Sequence, residues 1–203
     1  MAYPLVWRPT YDKSYSKDPF FKHDPVTSIA QGHFNRVPTM IGSLKDEGLL
    51  NTATMLQDPG LLEYFKTHWE ECAANSFLQT FFLKEIDVKT RKKIAAIEDF
   101  YLQGQKIWKN HWTFQNLSKI FADTKFFYGS DKMAQDLSRH NAKTFYYQFD
   151  HLGSFSISDI LSSSRPSLIW TLLKKLVGIH DSKKLGVCHA DDLLYLFKYY
   201  WNY

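Results

Sequence analysis

Cysteine is scarce in this chain: Cys72 and Cys188 are the two among 203 residues. Two cysteines exclude the multi-bridge framework that staples small secreted domains, and free buried thiols are the expectation for both. Long apolar runs are missing as well, and no stretch approaches the roughly 20 residues that span a membrane as a helix. The amino-terminal MAYPLVWRPTYDKSY lacks the charged-then-apolar pattern of a signal peptide. Charge of one sign is not gathered anywhere. Twenty-five basic and 21 acidic residues leave a net +4 without a basic block. Nucleic-acid binding wants Lys and Arg clustered on one face. The nearest candidate, Lys89 to Lys93, reads as the solvated side of a helix, so no nucleic-acid partner is expected. Internal repeats and linker-like breaks are absent too.

Aromatics are what the chain has in excess, at 17% and interleaved with charges. Its length suits one domain with a sizeable core. Residues 1–36, punctuated by Pro4, Pro9, Pro19 and Pro25, read as an extended opening segment, with one short helix over Asp24 to Gln31. Val37 to Gly42 is a short continuous apolar run, the signature of a strand covered on both faces. It leads into a turn at Lys45-Asp46-Glu47-Gly48. Helical spacing follows in Gly60 to Ala74 and Lys89 to Leu102, and Lys106 to Phe127 continues it. Tyr128-Gly129 predicts a break, and Ser130 to His140 predicts a further helix. Thr144 to Phe149 is a second strand, Ser154 to Ser167 a Ser-rich loop, Leu168 to Val177 a short apolar helix, and Gly178 to Leu185 a charged loop. Strands separated by long helical passages give an α/β class, helix-rich, with too few strands for a complete doubly covered sheet.

Two stretches carry candidate chemistry. Gly186-Val-Cys-His189-Ala-Asp191-Asp192 places a histidine after a short apolar run. The acidic pair is predicted in the first turn of a buried helix, where carboxylates favour the positive helix end. Asp46-Glu47-Gly48 places a carboxylate just after a buried strand. Glu47 and His189, 142 residues apart, have the residue types and order of the acid and base of a Ser-Asp/Glu-His triad. In such a triad the acid fixes the imidazole tautomer and the free nitrogen takes the serine proton. Taken singly, each has a plainer reading: His189 as a hydrogen-bonded structural histidine, Glu47 as a turn cap. Other candidates are weaker. His180-Asp181 and His189 with Asp191 lack the helical His pair or Cys cluster of a metal site, so neither metal nor cofactor is expected. Ser154, Ser156, Ser158 and Ser162 to Ser164 lack the strand–elbow context of a nucleophile. Asn116-Leu117-Ser118 is an N-glycosylation sequon.

Several fragments in order resemble the type-B carboxylesterases, the family of cholinesterases and of arthropod juvenile-hormone and general esterases. Phe20-Phe21 through Pro25, Gly32 to Pro38 and Ile41 through Gly48 resemble the run into the family's triad acid. Asp123 to Gly129 and Thr144 to Ser154 resemble the segment before its base. Gly186 to Phe197 resembles the His segment of arthropod members. The resemblance covers nearly the whole chain. It implies an α/β-hydrolase fold, of which residues 1–203 hold the late strands and covering helices. It also implies Glu47 as triad acid, His189 as general base, and a small carboxylic ester as substrate. Many members are secreted, which makes Asn116 a candidate for glycosylation. Oligomeric state is left open.

Departures from the family pattern matter equally. No Gly-x-Ser-x-Gly occurs in the sequence, so the nucleophile and the oxyanion donor that follows it are not in this chain. The expectation is a partial domain that also lacks the family's C-terminal end, inactive alone and poorly soluble because strand edges and helix faces stay uncovered. A cholinesterase-like adhesion protein and a non-functional gene fragment are the competing readings. Where cholinesterases carry aromatics after the triad acid to hold a quaternary ammonium, this chain has Leu50 and Asn51. That implies a general or lipophilic ester in place of a choline ester.

Overall fold

A computed structural model describes residues 16–21, 23–78, 86–105, 111–140, 143–153, 156–162 and 185–197. The helix expected over Leu168 to Val177, the His180-Asp181 pair, Ser154, Ser163 and Ser164 lie outside them, as do residues 1–15. Among the described residues no helix is long and apolar enough to cross a membrane.

The short opening helix α1, Pro25–Ala30, starts where Asp24 accepts a hydrogen bond from the Thr27 amide at 2.8 Å and Pro25 occupies the first helical position. Strand β1, Thr39–Leu44, pairs in parallel with β2, Thr144–Phe149, with Thr39 opposite Thr144 and Leu44 opposite Phe149. Parallel neighbours need a long crossover, and here it contains α2 (Leu49–Gln57), α3 (Pro59–Thr67), α4 (Trp69–Phe77), α5 (Val88–Leu102), α6 (His111–Ala122) and α7 (Tyr128–Arg139). The class is therefore α/β and helix-rich, with a two-stranded parallel sheet among the described residues.

The helices make their own core. Met55, Phe65, Ala73, Ala74, Phe77, Ile94, Leu102, Leu117, Ile120 and Phe121 are all buried together. At its centre the Phe121 ring lies 5.0 Å from Phe77 and 6.1 Å from Phe65. Such aromatic pairs add to the hydrophobic gain of burial. The strands fare differently. β1 is buried at Ser43 and Leu44, while Met40 is 72% exposed and Phe145 on β2 is 58% exposed. The expectation of a strand covered on both faces is met only at the end of β1 that carries the turn.

Three expectations about the helices change. The single helix over Gly60 to Ala74 is broken at His68. There the Thr67 hydroxyl donates back to Glu63 and Tyr64 carbonyls, and the His68 ring stacks on Tyr64 at 4.2 Å; such back-bonding bends helices. The break expected at Tyr128-Gly129 does not occur. One helical rod runs from α6 into α7, and its irregularity falls earlier, as a π turn over Asp123–Phe127. The Ser-rich loop holds a short helix, α8 (Ile157–Leu161), opened by a capping box between Ser156 and Asp159.

Candidate functional site

The site is built where β1 ends. The turn Lys45–Gly48 folds back under the strand, and each of its last three residues has a separate task. Asp46 accepts the Val187 amide at 2.9 Å and donates its own amide to the Val187 carbonyl at 3.0 Å. That reciprocal pair docks the distant His189 loop onto the turn. Glu47 is 3% exposed. One carboxylate oxygen accepts the Leu44 amide at 2.9 Å, and the other lies 2.6 Å from Nδ1 of His189. Gly48 passes so close to α6 that a Cβ there would sit 1.8 Å from the Ser118 carbonyl oxygen. Beside it the Thr52 and Ser118 hydroxyls meet at 2.5 Å. Only glycine lets α2 start against α6 with Glu47 at the base of the turn.

The loop opposite is equally constrained. Gly186 has φ of 149° and a Cβ would meet the Asp46 carboxylate at 2.3 Å, so a side chain there would evict the turn's anchor. Val187 and Cys188 are buried, and burial pushes the Cys188 thiol up to about 12, which makes it inert. Cys72 and Cys188 are both free. Ala190 adopts the left-handed φ of 70°, a strained setting for a side-chain-bearing residue. Asp191 turns inward, against the expectation that it sits in a helix's first turn. It accepts the Cys188 amide at 2.9 Å and the Ile157 amide at 2.6 Å. Those two bonds tie the loop to α8, and burial raises its carboxyl above the usual range. Asp192 stands at the N-terminus of α9, Leu193–Leu196.

That last helix is also a correction. It was expected to be buried, yet Leu196 is 65% exposed and Phe197 is exposed beside it. A run apolar at nearly every position has no preferred face. Here Leu194 is half-buried, and the Tyr195 ring lies 5.6 Å from Phe149 and 5.2 Å from His151.

His189 thus meets a buried carboxylate with Nδ1. Because a carboxylate only accepts, Nδ1 carries the proton and Nε2 is the free basic nitrogen of the neutral ring. The hydrogen bond to Glu47 holds the imidazole's pKa above its ordinary value, against the opposing effect of burial, and Asp192 adds to the rise. The His189 side chain is 41% exposed, so the ring is not sealed inside the protein. The Phe126 ring lies against it, 4.8 Å between centroids. The pair can fix a tautomer, take a proton and stabilise the resulting imidazolium.

Comparison with known proteins places the chain in a family. The sequence pattern of the carboxylesterase family matches residues 2–202. This chain belongs to that family. It is 27% identical over 184 residues to juvenile hormone esterase of Tribolium castaneum, covering 89% of this chain and 29% of that protein. It is 25% identical over 183 residues to venom carboxylesterase-6 of Apis mellifera, again 89% and 29%. A carboxylic ester hydrolase of Bombus ignitus is 26% identical over 192 residues, 91% of this chain and 30% of that protein. This carboxylesterase-family chain therefore spans less than a third of the length of these relatives.

The other candidate residues are placed as follows. Leu50 and Asn51 lie half-buried on the first turn of α2, directly after Glu47. Asn116 is buried within α6, and the hydroxyl of Ser118, the sequon's third residue, is bonded to Thr52. A glycan has no room there, which argues against glycosylation at Asn116. Ser156 and Ser158 are buried and bonded to one another at 2.9 Å, and Ser156 donates to the Gly186 carbonyl at 3.4 Å. They brace the His189 loop from α8. No group of three or more metal-ligating side chains occurs among the described residues. Sequence reasoning missed Asp46, Asp191 and Phe126. The Ser156-x-x-Asp159 capping pattern was legible and would have located α8. Nothing local marks Asp46 as a clamp, because its partner lies 141 residues away.

Proposed function

We propose that Glu47 and His189 are the acid and general base of a Ser-Glu-His triad in a carboxylesterase. On this reading residues 1–203 form part of a larger α/β-hydrolase domain. The observation that carries the reading is the 2.6 Å contact between His189 Nδ1 and the buried Glu47 carboxylate. A merely structural histidine does not need a buried carboxylate whose second oxygen is tied to a strand amide. In the reaction a serine oxygen attacks the ester carbonyl while Nε2 takes its proton. Glu47 holds the ring and stabilises the imidazolium. His189 then returns the proton to the leaving alcohol and activates the water that releases the acyl group. The serine is supplied from outside these 203 residues, since no Gly-x-Ser-x-Gly is present. Leu50 and Asn51, next to Glu47, offer no aromatic face to a quaternary ammonium, which favours a general or lipophilic ester.

The test is a chimaera in which this chain replaces the matched stretch of the Tribolium castaneum protein. Activity on a p-nitrophenyl ester should survive, and Glu47→Gln should lower kcat by about 10⁴-fold, as loss of the acid does in a triad. A chimaera that folds and turns over equally well with Gln at that position would sink the proposal. The purified chain alone should hydrolyse no such ester; turnover abolished by His189→Ala would overturn that expectation.

A further inference from the structure

One side chain packed on His189 has no place in the triad. The Phe126 ring lies 4.8 Å from the imidazole, tilted by 39°. It arrives there through the π turn Asp123–Phe127. A π turn accommodates one extra residue inside a continuous helix, so the faces before and after it both stay inward. Leu117, Ile120 and Phe121 remain in the helical core, and Ala134 and Leu137 are buried on α7. Between them Phe126 is aimed at the base loop, while Phe127 lines a separate small cavity with Lys45 and Leu49. The turn is braced at its start. The Tyr101 hydroxyl donates to the Asp123 carboxylate, and the Thr124 hydroxyl donates to the Ile120 carbonyl at 2.6 Å.

We propose that Phe126 is a positioning residue for His189, held by the π turn against one imidazole face so that the ring stays in line with Glu47 and its protonated form is favoured. This rests on the reading of Glu47 and His189 as the acid–base pair. An aromatic face attracts a cation, so the ring opposes nothing while the base is neutral and stabilises it once Nε2 has taken a proton. The charged groups on the three neighbouring elements are otherwise accounted for, and burial keeps the Cys188 thiol protonated. Glu47 and Asp192 act on His189. Asp46 and Asp191 are bound to backbone amides, and Asp123 to Tyr101. Lys45 pairs with Asp150, and Lys125 lies over Phe121.

The experiment is an NMR titration of His189 in the isotopically labelled chain, in the unsubstituted form and in Phe126→Leu, Phe126→Tyr and Glu47→Gln. Phe126→Leu should lower the His189 pKa by about half a unit, and Phe126→Tyr should restore it. Glu47→Gln should lower it independently. An unchanged titration in Phe126→Leu, with Glu47→Gln effective, overturns the role of Phe126 and leaves the acid–base pair standing. No change in either variant removes both. Should Phe126→Leu fail to fold, the unsubstituted chain supplies the remaining arm. Cross-relaxation between Phe126 ring protons and His189 Hε1 or Hδ2 is expected, and its absence would refute the contact.

Discussion

Helices α3 to α6 and strands β1 and β2 draw on the same kinds of residue, yet Phe65, Phe77 and Phe121 are buried while Met40 and Phe145 face outward. The difference lies in how each element finds its partners. The helices follow one another along the chain and meet their neighbours locally, and α2 to α6 together supply one core. A parallel strand takes its neighbours from far along the chain. Among the described residues β1 and β2 pair with one another and pack on α7, while Met40 and Phe145 stay exposed. The candidate pair Glu47 and His189 sits where the two regimes meet, at the buried end of β1, because that end is braced by α2, α6 and the His189 loop together.

Substitutions can break this comparison. The largest effect is expected in the helical core: Phe121→Ala should cost about 3–5 kcal/mol in urea unfolding, from lost burial and the cavity left behind. A loss below about 1 kcal/mol would show that the helices do not form a specifically packed core. Gly48→Ala probes the junction. Its Cβ would strike the Ser118 carbonyl, a backbone atom that cannot swing aside, so about 3 kcal/mol of destabilisation is expected. Tolerance there would mean that α2 and α6 are free to separate, and the site with them.

Asp46→Ala should cost about 1–2 kcal/mol by leaving the Val187 amide unpaired. It should also weaken the Glu47–His189 contact, read as a lowered His189 pKa by NMR; an unmoved titration would show that the base loop docks without its clamp. The pH dependence sharpens the same region. The folded-state pKa of His189 is raised, so the stability it contributes is fully present below its unfolded value near 6.5. That contribution is lost as pH rises through the higher folded value. Urea midpoints measured across that window should fall with pH in the unsubstituted chain and flatten in Glu47→Gln. Equal slopes would deny the linkage. The smallest effect is expected at the exposed strand: Phe145→Thr should change stability by no more than about 0.5 kcal/mol and raise solubility. A loss of several kcal/mol would mean that the sheet face is covered after all.

Much of the fold was legible residue by residue. Thr144 to Phe149 is aromatic-rich and β-prone, and it forms a strand; the helix over Lys89 to Leu102 turns the expected face of Ile94, Ile97 and Tyr101 to the core. The break at His68 was not legible, because it arises from hydroxyl and ring contacts that compete with the helix and not from a Gly or Pro. The π turn escaped for a related reason. Asp123 to Phe127 reads as ordinary helix, and the extra residue is stabilised by Tyr101 and by the base loop, both distant in sequence.

By itself the sequence determined the family, the two strands and most of the helices, and it singled out Glu47 and His189 as the candidate pair. Those follow from local periodicity and from motif order, which short-range physics encodes. Only the tertiary structure decided that Glu47 is buried with both oxygens engaged, that Asp46 clamps Val187, that Asp191 turns inward and that Phe126 rests on the imidazole. Each of these contacts joins residues tens to more than a hundred positions apart, or depends on a backbone turn set by such a partner. No local pattern records them.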